Sequence, residues 1–174
     1  MISTGLQKLD DFLSGGIPNG VITDIYGGSG TGKTQLLFQI CINAIKNGGN
    51  VLYQDTTGSF RPERILEIQK QQNLTFDILE KITVSRITNT SEQLKSINVM
   101  NASNFSLIVI DNVTDLFSYE YPKDDAERFS WLSMNGLIQQ KTPAKKILAE
   151  ALSFLAHFLP EFCLWQNSPG GSTD

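Results

Sequence analysis

The chain has 174 residues, 40% hydrophobic and 18% charged, with a formal net charge of −4. That length suits one domain, and the apolar share is enough for a core, which argues against intrinsic disorder. The acidic balance gives no support for a broadly basic, nucleic-acid-binding surface. The one small basic cluster, Lys141, Lys145 and Lys146, reads as a solvated helix face. Two cysteines, Cys41 and Cys163, match no zinc or Cys-x-x-Cys spacing, and a reduced, cytoplasmic compartment is expected. The first residues, MISTGLQKLDDFLSGG, lack the features of a signal peptide, and no stretch approaches the roughly 18 apolar residues that span a membrane. A soluble protein with no membrane partner is expected.

In chain order, Leu6, Leu9, Phe12 and Leu13 recur with helical spacing over Thr4–Leu13, and Gly15-Gly16 stops that helix. Val21–Tyr26 is a β-rich run ending at Gly27. After a Gly-rich turn, Leu36, Leu37, Ile40, Cys41, Ala44 and Ile45 mark a second helix, which closes at Asn47-Gly48-Gly49. Val51–Asp55 is the next strand. Pro62 suits a first helical position, and Ile65, Leu66 and Ile68 give that helix a face. Ile82–Ile87 reads as a strand. Thr90 with Gln93 resembles a capping box for a helix through Ala102. Leu107–Ile110 is a continuous apolar run, as expected for a strand covered on both faces.

Strands alternating with helices predict an α/β fold with a mostly parallel sheet flanked by helices. The three clearest strands end at Gly27, Asp55 and Asp111, so the chemistry is expected at those carboxyl ends. Further on, Thr142 and Pro143 look like an N-cap and a first helical residue. Ile147, Leu148, Ala151, Leu152, Leu155 and Ala156 then predict a helix that Pro160 ends. The single histidine, His157, falls in that helix and carries no catalytic expectation. Tyr119, Tyr121 and Trp131 read as core or interface residues. The expected organisation is a core over residues 1–159 and a divergent, flexible tail over 160–174.

Gly27-Gly28-Ser29-Gly30-Thr31-Gly32-Lys33-Thr34 fits the pattern G-x-x-x-x-G-K-[ST]. Glycines let the backbone wrap phosphates closely, successive N–H groups form an anion nest, and the following helix adds its N-terminal dipole. Lys33 supplies a positive charge for the β- and γ-phosphates, and the Thr34 hydroxyl is a hard oxygen ligand for Mg²⁺. The loop sits between a predicted strand and a predicted helix, which is the context that makes the pattern specific. Asp111, at the end of a buried run, suits the Mg²⁺ side of such a site. ATP and Mg²⁺ are therefore the expected ligands.

These residues resemble the RecA/RadA recombinase family, in its archaeal and eukaryotic branch. Ser3-Thr4-Gly5, Leu9-Asp10 and Gly15-Gly16-Ile17 are similar to the entry of that family's ATPase core. Asp55-Thr56-Thr57-Gly58-Ser59-Phe60-Arg61-Pro62-Glu63-Arg64 resembles the stretch after its second core strand. The resemblance runs from Ser3 to about Phe117 and is nearest to short, RadB-like RadA paralogues. It implies a RecA-like P-loop NTPase core and a role in homologous recombination and DNA repair. It also implies that Arg64 stacks on adenine.

Three departures qualify it. Thr57 stands where the family usually has a Glu that orients the attacking water, and losing such a base costs about 10²–10⁴ in rate. Weak DNA-dependent ATP hydrolysis is therefore expected. From the sequence, the family's N-terminal DNA-binding domain and Phe-containing polymerisation motif are expected to be lacking. The C-terminal part of the core reads as missing or replaced, although Phe162–Asn167 could form a strand. The expected role is a recombinase paralogue or mediator working with single-stranded DNA or a full-length RadA-type recombinase. The alternative is a KaiC-like ATP switch that regulates a protein partner without DNA.

Overall fold

A computed structural model describes residues 1–102, 104–122, 146–152 and 163–167. The described elements, in order, are α1 (Gln7–Phe12), β1 (Ile22–Gly27), α2 (Lys33–Lys46), β2 (Val51–Asp55) and α3 (Pro62–Gln71). A 3₁₀ turn (Leu79–Lys81), β3 (Ile82–Arg86), α4 (Thr90–Ala102), β4 (Leu107–Asp111) and α5 (Asp115–Glu120) follow. β5 (Lys146–Leu152) and β6 (Cys163–Asn167) complete one six-stranded sheet in the order β3-β2-β4-β5-β1-β6. All neighbouring pairs are parallel except β1 with β6. This is the α/β architecture of a RecA-like core.

Two apolar clusters sandwich the sheet, as continuous apolar strands require. One joins α2 and α3 to alternate residues of β1, β2 and β4, with Leu37, Ile40, Cys41, Tyr53, Ile65 and Val109 among its buried members. The other places Met100 of α4 against Ile22, Leu52, Ile108 and Ile110. Side chains alternate faces along a strand, so Tyr53, Asp55, Val109 and Asp111 share the α2 side. Burial pushes the Cys41 thiol far above its ordinary range, and the nearby Asp111 charge adds to this.

The N-terminal segment is tied down by polar contacts. Asp10 accepts hydrogen bonds from the Ser3 hydroxyl (2.5 Å), the Thr4 amide (2.7 Å) and the Thr4 hydroxyl (2.7 Å). Those bonds hold Thr4 in a loop, so α1 begins at Gln7 rather than at Thr4. Asn43 of α2 donates to the Ser3 carbonyl (2.9 Å), and Ile2 bridges Ile17.

Two expectations are corrected. The segment containing Ile147, Leu148, Ala151 and Leu152 forms β5, not a helix. It lies between β1 and β4, where an extended chain satisfies backbone groups of both neighbours at once. That pairing outweighs a periodicity short enough to suit either element. Thr142, Pro143, Leu155, Ala156, His157 and Pro160 lie outside the described residues, as do Trp131, Lys141 and Lys145. The second correction concerns the start of α4. Asn89, not Thr90, caps it: its Oδ1 accepts from the Glu92 amide (2.9 Å), and Glu92 reaches back to the Thr88 amide (3.1 Å). Thr90 instead donates through both its amide and its hydroxyl to the Glu120 carboxylate of α5. Gln93 donates to the Val113 carbonyl (3.0 Å).

The strand that Phe162–Asn167 could form is present as β6 at Cys163–Asn167, antiparallel to β1, inside the segment read from the sequence as a flexible tail. Among the described residues, no helix is long and apolar enough to cross a membrane.

Candidate nucleotide site

Gly27 closes β1, and Lys33 opens α2, so the intervening loop turns directly from a sheet edge into a helix. Gly30 (φ 80°) and Gly32 (φ 90°) adopt left-handed backbone. A Cβ at either would meet nothing within 4 Å, so backbone conformation rather than space demands glycine there. Gly32 is the N-cap of α2 and offers no side-chain cap, so the first N–H groups of a 14-residue helix face the loop. Thr31 braces the turn by donating to the Gly28 carbonyl (2.9 Å). Buried Lys33 lays its ammonium across the Gly27 (3.0 Å) and Gly28 (2.9 Å) carbonyls.

β4 delivers Asp111 beside this loop. β2 and β4 run in register, with Asp55 opposite Asp111. The Asp111 Oδ2 accepts three hydroxyls: Tyr53 (2.6 Å), Ser59 (3.1 Å) and Thr34 (3.2 Å). A cleft of about 350 Å³ opens over these groups. Ser29, Gly30, Gly32, Lys33, Thr34, Thr57, Ser59, Asp111 and Asn112 line it. The donor set suits Mg²⁺-nucleotide. Backbone N–H groups and an ammonium would meet phosphates, while one carboxylate and one hydroxyl would offer hard oxygens to a cation that keeps most of its waters.

The turn after β2 completes the cleft wall. Asp55 Oδ1 accepts from the amides of Gly58 (2.7 Å) and Ser59 (3.1 Å), and Oδ2 from that of Phe60 (3.2 Å). Arg86 adds an ion pair at 3.4 Å. Asp55 is thus the organiser of the turn. Thr57 is exposed, and its hydroxyl donates to Ser59 (2.8 Å). Thr56 joins the strand ends: its amide donates to the Asp111 carbonyl (2.8 Å), and its hydroxyl pairs with the Asn112 backbone (2.7 Å). Burial raises the Asp115 carboxyl above its ordinary range; Arg86 opposes this and the Asp111 charge adds to it.

Of the residues expected at the site, Ser29, Gly30, Gly32, Lys33, Thr34, Thr57 and Asp111 meet around one cleft, while Gly27, Gly28 and Thr31 shape the loop behind its lining. Arg64 stands apart from its lining, exposed on α3, with Glu67 at 2.6 Å and Gln35 of α2 at 3.3 Å. Sequence reasoning did not single out Tyr53, Ser59 or Asn112. Ser59 lies within the Asp55–Arg64 stretch, but Tyr53 meets its carboxylate across 58 residues of chain and carries no local signal.

A model of the Rad51 family matches residues 1–133. The chain is 39% identical over 132 residues to "DNA repair and recombination protein RadA" of Cenarchaeum symbiosum, covering 70% of this chain and 33% of that protein. It is 37% identical over 131 residues to "DNA repair protein RAD51 homolog B" of Zea mays, covering 69% of this chain and 38% of that one. A tomato "DNA repair protein RAD51 homolog" matches at 35% identity over the same length. The chain therefore spans between a third and two fifths of these relatives' lengths.

Proposed function

The chain belongs to the Rad51 family, and from that premise we propose that it binds ATP with Mg²⁺ and acts in homologous recombination and DNA repair. Its role is that of a paralogue or mediator with little hydrolysis of its own. One observation carries the nucleotide reading. The Gly27–Thr34 loop and Asp111 come from elements 77 residues apart, yet Thr34 and Asp111 meet at 3.2 Å in one cleft. Thr34 and Asp111 would hold the Mg²⁺, and the loop amides with Lys33 would hold the phosphates. The cation, when bound, neutralises charge on the β- and γ-phosphates.

Thr57 supports weak turnover. Its hydroxyl cannot take a proton at neutral pH, and the neighbouring carboxylate, Asp55, is occupied by three backbone amides. The similarity to RadA and RAD51 repair proteins supports the repair role. Single-stranded DNA and a full-length RadA-type recombinase are the proposed partners, and the cytoplasm the proposed compartment.

The test is ATP binding and hydrolysis, with and without single-stranded DNA, for the unaltered chain, Lys33→Ala and Thr57→Glu. Tight binding with negligible turnover, loss of binding in Lys33→Ala, and partial gain of turnover in Thr57→Glu are expected. Strong DNA-stimulated turnover by the unaltered chain would defeat the lost-base reading. Absence of ATP binding would defeat the whole proposal.

A further inference from the structure

We propose that Tyr53 is a positioning residue for the Mg²⁺-side carboxylate, and that Phe38, Tyr53 and Phe60 couple that carboxylate to the turn carrying Thr57. The inference rests on the nucleotide reading above.

Tyr53 starts two residues below Asp111 on the same face, because the register sets it beside Val109 and sets Asp55 beside Asp111. Its fully buried ring runs up that face, and the hydroxyl reaches Asp111 Oδ2 at 2.6 Å. A phenylalanine would fill the same space, so the hydroxyl is the feature aimed at the carboxylate. Of the three hydroxyls on Oδ2, that of Tyr53 is the shortest and that of Thr34 the longest. Thr34 is thus the partner most easily turned toward a cation, while Tyr53 keeps the carboxylate fixed. Groups that hold a metal-side ligand in this way set its orientation and basicity.

The ring is itself held. Its centroid lies 5.6 Å from Phe38 of α2 and 4.9 Å from Phe60, and those two lie 5.7 Å apart edge to face. All three spacings fall within the range of attractive aromatic pairs. Phe60 belongs to the turn that Asp55 organises, since its amide donates to Asp55 Oδ2. A shift of that turn therefore presses on Tyr53, and through it on Asp111.

The test titrates a fluorescent, non-hydrolysable ATP analogue against the unaltered chain, Tyr53→Phe and Phe60→Leu, in EDTA and in saturating Mg²⁺. The ratio of the two Kd values reads the contribution of Mg²⁺. Tyr53→Phe should cut that ratio about tenfold or more, and Phe60→Leu should cut it less, in the same direction. Melting temperatures are recorded for each. A lower Tm with an unchanged ratio in both variants would mean a packing role only and would overturn the inference. Should Tyr53→Phe fail to fold, Phe60→Leu decides alone. An unaltered chain that binds no analogue in either condition overturns the nucleotide reading as well.

Discussion

Asp55 commits both carboxylate oxygens to the backbone of its own turn, while almost fully buried. Asp55→Ala leaves three amides without their acceptor and removes the carboxylate from Arg86, which keeps only the Asp55 carbonyl (3.0 Å). We expect a loss of at least roughly 2 kcal/mol, read by urea denaturation, since bonds to charged groups contribute about 1.5–3 kcal/mol. Asp10 illustrates a pH effect. Burial raises its carboxyl, but bonds from Ser3 and Thr4 outweigh this and hold it below its ordinary 3.8. A lowered folded pKa gives stability that is present above 3.8 and is lost as pH falls through the folded value. Asp10→Asn should therefore flatten the acid limb of a stability-against-pH curve, and an unchanged limb would refute the contribution. Residues with local signatures were legible. The loop glycines, Lys33 and Thr34 sit in a fixed spacing, and Asp111 ends an apolar run. Tyr53 and Ser59 were not legible as site residues, because their partner lies more than fifty residues away in sequence.

At the scale of elements, α4 owes its start to Asn89 and its lateral anchor to Glu120, whose carboxylate takes two hydrogen bonds from Thr90. Removing the cap by Asn89→Ala should cost about 1 kcal/mol in thermal melts. Gln93→Ala should affect α4 by freeing the Val113 carbonyl rather than by uncapping the helix. The Ser/Thr-x-x-Glu/Gln pattern misled here because Asn89-x-x-Glu92 offers the same geometry one residue earlier. β5 was misread for a related reason. Ile147, Leu148, Ala151 and Leu152 satisfy helical spacing over one short stretch, and only the flanking strands decide the conformation. β1, β2 and β4 were legible because their apolar runs are bounded by glycine or aspartate and exceed what a loop would carry.

Across the whole molecule, β6 covers the outer edge of β1, the strand that leads into the Gly27–Thr34 loop. Deleting residues 160–174 would expose that edge, and unpaired edges invite association with other chains. We expect Tm to fall by roughly 4–8 °C, equivalent to about 2 kcal/mol for a chain of this size. Light scattering should rise with concentration; a variant that stays monomeric with unchanged Tm would show that β6 is dispensable. The register of β2 against β4 has a different kind of consequence. Each strand residue advances the chain about 3.3 Å and turns the next side chain to the opposite face. Removing a single residue within Leu107–Ile110 would swing Asp111 away from the cleft, and removing one between Tyr53 and Asp55 would separate phenol from carboxylate. Such deletions would abolish the site while leaving composition nearly untouched, whereas the connection at Asn47–Asn50, outside any strand, could lengthen without moving either group. Tolerance to insertion and deletion along this chain should therefore be sharply uneven, lowest in two five-residue windows that together hold only ten positions.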